Sequence, residues 1–148
     1  MSRVDFYILE AEGDEARGHT ACRLAERAWK AGNRVFLRAD SARAVTWLDE
    51  LLWTFRQDSF VPHACAQPTT RDNSSESDTL EPVLIGLEEA TQPPADVLIN
   101  LGEDVPLRVA DYARVAEIIT ADEGIRQQGR ERFRFYRDRG CEVHTHNL

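Results

Sequence analysis

Arginine residues are concentrated in one short stretch near the end of the chain. Residues 126–139 hold six of the 18 basic residues, opposed within the stretch only by Glu131 and Asp138. A guanidinium presents its donors in a fixed fork that matches a carboxylate or a phosphate, so the stretch could bind either kind of anion. Three interpretations are open: a solvated helix face, a contact with nucleic acid, or a docking site for an acidic peptide.

The spacing of these arginines favours one side of a helix. Four of them fall within an arc of about 80° at helical periodicity: Arg126, Arg130, Arg134 and Arg137. Phe133 lies at one edge of that arc. A ring beside a row of guanidiniums suits an acidic peptide that ends in a hydrophobic residue. The alternative is a solvated face with Phe133 in the core, and charged helix faces are common enough that spacing alone favours it.

A second candidate site is the aromatic segment "LLWTFRQDSFVPH", residues 51–63. Trp53 and Phe60 follow a predicted helix, in a segment whose polar residues and Pro62 argue against a regular element. Large aromatic residues in irregular backbone either fill the core or anchor a protein interface. Both possibilities remain open at this segment.

Motifs for catalysis and nucleotide binding are absent from the sequence. The first strand-to-helix turn, "EAEGDEARGHTA", lacks the GxGxxG pattern and carries four acids where a pyrophosphate would lie. There is no P-loop and no GxSxG. His63 and Cys65 in "PHAC" are interpreted as facing different ways, which argues against a nucleophile with its base. We therefore expect no catalytic residue, no cofactor and no intrinsic enzyme activity.

The histidines near the end of the chain could share one face of a strand. His144 and His146 are two residues apart, whereas Cys141 would lie on the opposite face. A metal site needs a third ligand that this pattern does not supply. We expect no metal and interpret both histidines as solvated or hydrogen-bonded.

Composition places the chain among ordinary globular proteins. Its 148 residues are 42% hydrophobic and 30% charged, which fits one domain spanning 1–148. No apolar run reaches the length of a transmembrane helix, and the N-terminus lacks the pattern of a signal peptide. Three widely spaced cysteines without a CxxC motif indicate reduced thiols, so we expect a cytoplasmic protein.

Apolar runs alternate with helical periodicity along the chain. Strands are predicted at 3–9, 34–39, 82–87, 96–101, around 116–120, and at the terminal edge in "CEVHTH"; helices are predicted at 15–30, 40–53 and 122–139. A polar loop is predicted at 67–81. The pattern indicates an α/β fold: a single three-layer Rossmann-like domain with a mostly parallel central sheet. We expect the first four strands to be buried neighbours.

The sequence motifs of this chain and their order resemble those of the chi subunit family of bacterial DNA polymerase III. The resemblance rests on "DFYIL", on "LDELLW" followed by "SFVPH", on "DVLINL" and on "RERFRFYRDRGCEVHTH", and it spans nearly the whole chain. It implies a non-catalytic accessory subunit of the polymerase III holoenzyme. Such a subunit bridges the clamp loader, through the psi subunit, to the acidic C-terminal tail of single-stranded DNA-binding protein.

The resemblance also implies residue roles at the two candidate sites. The psi-binding residues would be Trp53, Phe60, Pro62 and His63. The tail-binding residues would be Arg130, Phe133, Arg134 and Arg137. The family often has tyrosine and lysine at the positions of Phe133 and Arg134. On this interpretation the arginines meet an acidic peptide rather than DNA.

The distribution of charge along the chain distinguishes binding of an acidic peptide from binding of DNA. The chain has a net charge of -8, and the arginine stretch is +4, which leaves -12 on the remainder. An acidic remainder discourages binding to the phosphate backbone, so we expect little or no direct DNA binding. A function of another class, a small-molecule or nucleotide-dependent enzyme on a Rossmann-like scaffold, would need a phosphate-binding turn or a nucleophile with its base.

Overall fold

The computed structural model describes residues 3–55, 61–65, 82–87, 95–102, 105–106 and 112–147. Seven strands and three helices lie within these ranges: β1 (Arg3–Ile8), α1 (Asp14–Lys30), β2 (Val35–Arg38), α2 (Ala42–Thr54), β3 (His63–Cys65), β4 (Val83–Gly86), β5 (Val97–Asn100), β6 (Arg114–Ile119), α3 (Glu123–Asp138) and β7 (Glu142–Asn147). The polar loop predicted at 67–81 lies outside the described residues. None of the three helices combines the length and apolar composition that a bilayer span requires.

All seven strands form one open sheet with parallel pairing, in the order β3-β4-β2-β5-β6-β1-β7. One core cluster holds α1 and α2 against one face of the sheet, and a second holds α3 against the other face. Strands β4 and β5 are buried along their whole length, as their continuous apolar sequences predict. The predicted three-layer α/β fold with a parallel sheet is confirmed.

Local signals explain where the helices begin and end. The Ser41 hydroxyl accepts a hydrogen bond from the Ala44 amide at 3.1 Å, which caps the first turn of α2. Gly140 has a φ of 84°, a left-handed conformation that glycine adopts without a steric penalty, and it ends α3. These ends agree closely with the predicted ones.

The expected neighbours in the sheet are wrong in one respect. Strands β4, β2 and β5 are adjacent, but β6 lies between β5 and β1. Glu117 interrupts the apolar pattern of β6, so the sequence does not identify this strand as central. In the structure Glu117 is fully buried, and its carboxylate is paired with Arg132, which allows an acidic residue to lie in the middle of the sheet.

A further strand was not predicted. Residues His63–Cys65 form β3, which pairs with β4 and lies at the edge of the sheet formed by the described strands. Pro62 precedes this strand rather than interrupting it, and proline is compatible with the start of an edge strand. The preceding residues 56–60, which include Phe60, lie outside the described part of the chain.

Candidate functional site

The buried side of α3 contains Gly129, Arg132 and Tyr136. Gly129 lies so close to β6 that a Cβ built on it would be 2.7 Å from the Cδ1 atom of Ile119. A larger residue at position 129 would therefore force the helix or the isoleucine to move. The absence of a side chain at Gly129 allows α3 to pack closely against the sheet at this point, and a pocket lies beside this contact.

This pocket lies between α3 and strands β1, β6 and β7, and its volume is about 370 Å³. Such a volume is typical of a site that holds a small ligand or one large side chain, roughly 300 Å³ or more. The lining residues are Phe6, Ile8, Ile119, Arg126, Gly129, Arg130, Phe133, Arg134, Arg137 and Thr145. All four residues predicted to bind an acidic tail are among them. None of these ten lining residues is acidic.

Phe133 forms part of the pocket wall and also packs against the sheet. Its ring is half-buried and lies 5.3 Å from the ring of Phe6, measured between centroids, with the two planes tilted by 52°. The two interpretations of Phe133 as a core residue and as a pocket residue are therefore compatible. One face of the ring is held by β1, and the residue still lines the pocket.

The pocket arginines differ in the hydrogen bonds and ion pairs that they make within the protein. Arg126 donates from Nε to the carbonyl of Thr120 and from Nη2 to the carbonyl of Leu9, both at 3.2 Å. These bonds fix its guanidinium at the carboxyl ends of β6 and β1. Arg137 lies 3.8 Å from the neighbouring Asp138, and both side chains are exposed.

Arg130 and Arg134 are exposed, and among the described residues neither makes an ion pair. Exposed ion pairs are worth only about 0.2–1 kcal/mol each. The weak contact at Arg137 is therefore no obstacle to a stronger bond with an incoming carboxylate. Of the pocket arginines, Arg130 and Arg134 have the most freedom to bind one.

Two of the six arginines in the stretch have other roles, which the sequence did not distinguish. Arg132 points away from the pocket and donates to the Oε1 atom of Glu117 at 3.1 Å. The guanidinium carbon of Arg139 lies 4.6 Å from the ring centre of Phe135, in a cation–π contact on the exposed surface. The helical angle could have separated Arg132, because it lies about 160° from Arg134.

The aromatic segment brings Trp53 and His63 together. Trp53, at the end of α2, is 50% exposed, and its ring lies 4.6 Å from that of the buried His63. The imidazole is fixed by the Val61 carbonyl, 2.6 Å from Nδ1, and by Asp49, whose Oδ1 lies 3.2 Å from Nε2. Half-buried Pro62 lies between Val61 and His63. An exposed indole that packs on a fixed imidazole is typical of a residue that anchors a protein interface.

The interpretation that His63 and Cys65 face different ways is wrong. Both belong to β3, where side chains two residues apart share one face. Burial raises the pKa of the Cys65 thiol, and the charge of Asp49 with its hydrogen bond raises it further. These effects favour the protonated thiol, whereas a nucleophilic cysteine requires a stabilised thiolate.

The histidines of β7 share one face as predicted, and each meets a carboxylate. His144 lies 2.7 Å from Glu142, and His146 lies 2.9 Å from the buried Asp5. Cys141 is half-buried and packs instead against the core cluster beneath α3. Within the described ranges, no three residues of the His, Cys, Asp and Glu types form a group that could hold a metal ion.

Asp122 occupies the place where a ligand would enter a doubly wound sheet. Connections from the neighbouring strands β1 and β6 lead to α1 and α3 on opposite faces, which defines the usual ligand crevice. There the Oδ2 atom of Asp122 accepts from the Gly13 amide at 3.0 Å and from the Thr120 hydroxyl at 2.6 Å. The carboxylate of Asp122 thus binds the Gly13 amide at the beginning of α1, in the crevice where a ligand would otherwise lie.

We expect Asp122→Asn to lower the free energy of unfolding at neutral pH but not at low pH. The Thr120 hydroxyl and then the Gly13 amide lower the pKa of Asp122 in the folded state. Its contribution is therefore complete above the unfolded pKa of about 3.9 and disappears as the pH falls through the lower folded value.

Urea unfolding of both proteins between pH 7 and pH 2 measures this difference. Glu131→Gln, which removes another acid from α3, is the control and should show no comparable pH dependence. A stability gap that stays constant down to pH 2 would contradict the role given to the ionised carboxylate.

The fold and these sites define a doubly wound α/β protein with an arginine-walled apolar pocket on one face and an exposed tryptophan near one sheet edge. The model of the family "DNA polymerase III chi subunit, HolC" matches residues 1–144. The chain belongs to this family, which confirms the resemblance found in the sequence, and it is a replication accessory subunit of the DNA polymerase III assembly.

Curated relatives agree along almost their entire length. The DNA polymerase III subunit chi of Pseudomonas aeruginosa is 40% identical over 148 residues, covering 100% of this chain and 98% of that protein. Those of Haemophilus influenzae and Escherichia coli are each 27% identical, over 145 and 150 residues. In both comparisons 98% of this chain is covered, with 96% and 97% of the respective relatives.

Proposed function

We propose that this chain is a non-catalytic bridge in the replication machinery. One end binds the psi subunit and thereby the clamp loader, and the other binds the acidic C-terminal tail of single-stranded DNA-binding protein. The observation that carries the proposal is the pocket on α3. It combines four arginines with an apolar floor and has no acidic residue among its ten lining residues.

The pocket suits a peptide better than a nucleic acid. A phosphate backbone is a long, regular line of charge and calls for basic residues along a groove, together with exposed aromatic residues for stacking. Here the arginines surround a single hollow floored by Phe6, Ile8 and Ile119. The chain as a whole carries a net charge of -8, which repels an extended polyanion.

A short acidic peptide with a terminal aromatic residue could use both parts of the pocket. Arginines such as Arg130 and Arg134 would bind its carboxylates, and the hollow would take its ring. Exposed ion pairs contribute about 0.2–1 kcal/mol each, so charge alone would give weak binding. Burial of a phenylalanine adds about 1.5–3 kcal/mol, so the ring contributes more than any single ion pair.

The opposite end of the bridge is the surface around Trp53. The indole is half-exposed and rests on His63, whose ring is fixed by Val61 and Asp49. Tryptophan is enriched among the residues that dominate binding energies at protein interfaces. We propose that Trp53, Phe60, Pro62 and His63 contact the psi subunit.

Two fluorescence-anisotropy titrations test the proposed function. One uses a labelled acidic peptide ending in Pro-Phe, and the other uses labelled single-stranded DNA. We expect saturable binding of the peptide that weakens as salt is raised, because exposed charges are screened within about 8 Å at physiological ionic strength. We expect little binding of the DNA. Tighter binding of DNA than of the peptide would assign the arginines to nucleic acid.

A further inference from the structure

The side of α3 that faces the sheet carries both apolar and polar groups. Ile125, Phe133 and the ring of Tyr136 pack in or against the core cluster on that face, and the buried residues of the helix are Gly129, Arg132 and Tyr136. Hydrophobic burial is non-directional and scales with apolar area. Hydrogen bonds are directional, so polar contacts on this side restrict the rotation of the helix more closely.

Glu117 supplies directional contacts from the middle of the sheet. Its Oε1 atom accepts from Arg132 Nε at 3.1 Å, and its Oε2 atom accepts from the Tyr136 hydroxyl at 2.5 Å. Asn100 on β5 also donates to Oε2, at 3.0 Å. Burial and the charge of Glu117 raise the pKa of Tyr136 far above its usual value, so its hydroxyl keeps the proton that it donates. Hydrogen bonds to an ionised acceptor are roughly twice as strong as neutral ones.

These contacts hold α3 at two points one turn apart. Arg132 and Tyr136 are four residues apart and therefore lie on the same side of the helix. Each bonds to a different oxygen of the same carboxylate. Two bonds separated along the helix restrict both its rotation and its position along its own axis.

The bond between Arg132 and Glu117 determines where Arg130 and Arg134 point. At 100° per residue, Arg130 and Arg134 each lie about 160° from Arg132. When Arg132 points into the sheet, both of the others must point outward, and they line the pocket. Glu117 itself is not one of the residues that line the pocket.

We infer that Glu117 is a positioning residue for the arginine face of α3: it fixes the rotation of the helix so that Arg130, Phe133 and Arg134 surround one pocket. The inference rests on the proposed function of that face as a peptide site. Buried ion pairs are often replaceable by apolar residues at little cost in stability, and their best-attested use is to specify one arrangement among several. That use fits a helix whose buried side includes an arginine and a tyrosine hydroxyl.

Glu117→Gln tests the inference, since it keeps the size of the side chain and removes its charge. We expect the dissociation constant for the acidic peptide ending in Pro-Phe to rise about tenfold, at unchanged one-to-one stoichiometry in calorimetry. We also expect loss of the proton–proton contact between the rings of Phe6 and Phe133 in the nuclear Overhauser spectrum of the free protein.

Leu48→Ala is the matched control. Leu48 is fully buried in the core cluster on the opposite face of the sheet, so the variant loses stability without touching α3. It should bind the peptide with unchanged affinity per folded molecule and keep the contact between Phe6 and Phe133. If Glu117→Gln does not fold, Tyr136→Phe replaces it and should weaken the same ring contact.

The ring contact decides the inference independently of the peptide. If Glu117→Gln keeps both the contact and the affinity, the positioning role is overturned. If the wild type binds no peptide, the proposed function fails, but loss of the contact in Glu117→Gln and its retention in Leu48→Ala still support the positioning role. If both variants lose the contact equally, Glu117 serves only general stability and the inference is wrong.

Discussion

Removal of the terminal phenylalanine from the acidic peptide is expected to lower its affinity for this chain roughly 10- to 150-fold. The expectation follows from the hollow floored by Phe6, Ile8 and Ile119, which is large enough for a ring. Burial of a phenylalanine side chain is worth about 1.5–3 kcal/mol, which corresponds to that range of affinity. Calorimetry with the full peptide and the truncated peptide measures the difference.

A single charge should matter less than the ring. Replacing one acid of the peptide, or making Arg134→Ala, is expected to cost about 1 kcal/mol or less, roughly fivefold in affinity. Arg139→Ala is the matched control, because it removes the same charge directly after the same helix but lies outside the pocket. Equal losses for Arg134→Ala and Arg139→Ala would mean that only the overall field of the helix attracts the peptide.

Trp53→Ala is expected to reduce capture of the psi subunit about thirtyfold or more, with little change in melting temperature. Half of the indole is exposed in the isolated chain, so its removal leaves the core largely intact. Truncation of an interface anchor typically costs about 2 kcal/mol or more of binding free energy. Surface plasmon resonance with immobilised psi subunit and a parallel thermal melt measure both quantities.

Leu87→Ala provides the control for this experiment. Leu87 is exposed to a similar degree, but it follows β4 at the carboxyl edge of the sheet, whereas Trp53 lies at the end of α2. Its replacement should leave capture unchanged. A large fall in melting temperature for Trp53→Ala, without a specific loss of capture, would place Trp53 in the core rather than at an interface.

The parts of the fold that depend on local pattern could be predicted from the sequence. Uninterrupted apolar runs identify β4 and β5, and the Ser41 cap and Gly140 mark helix ends. The central position of β6 could not be predicted, because Glu117 bonds there to Arg132, Tyr136 and Asn100, which come from other elements. Such compensation is visible only in three dimensions.

The candidate pocket shows the same division. Helical periodicity places Arg130, Phe133 and Arg134 near one another, and the structure brings them together around one pocket. Two of the lining residues on the sheet, Phe6 and Thr145, are far apart in the chain and meet because β7 pairs with β1. No local pattern specifies that pairing, so the depth of the pocket could not be inferred from the arginines alone.

A chemical-shift map tests the central claim most directly. The acidic peptide ending in Pro-Phe is titrated into uniformly 15N-labelled protein, and amide shifts are followed. A seated peptide should perturb Gly129, Phe133 and the uncharged strand residues Ile119 and Thr145, all of which line the pocket, while the amides around Trp53 and His63 stay unchanged. Shifts confined to exposed arginine positions, with Ile119 and Thr145 unmoved, would contradict a peptide bound in the pocket.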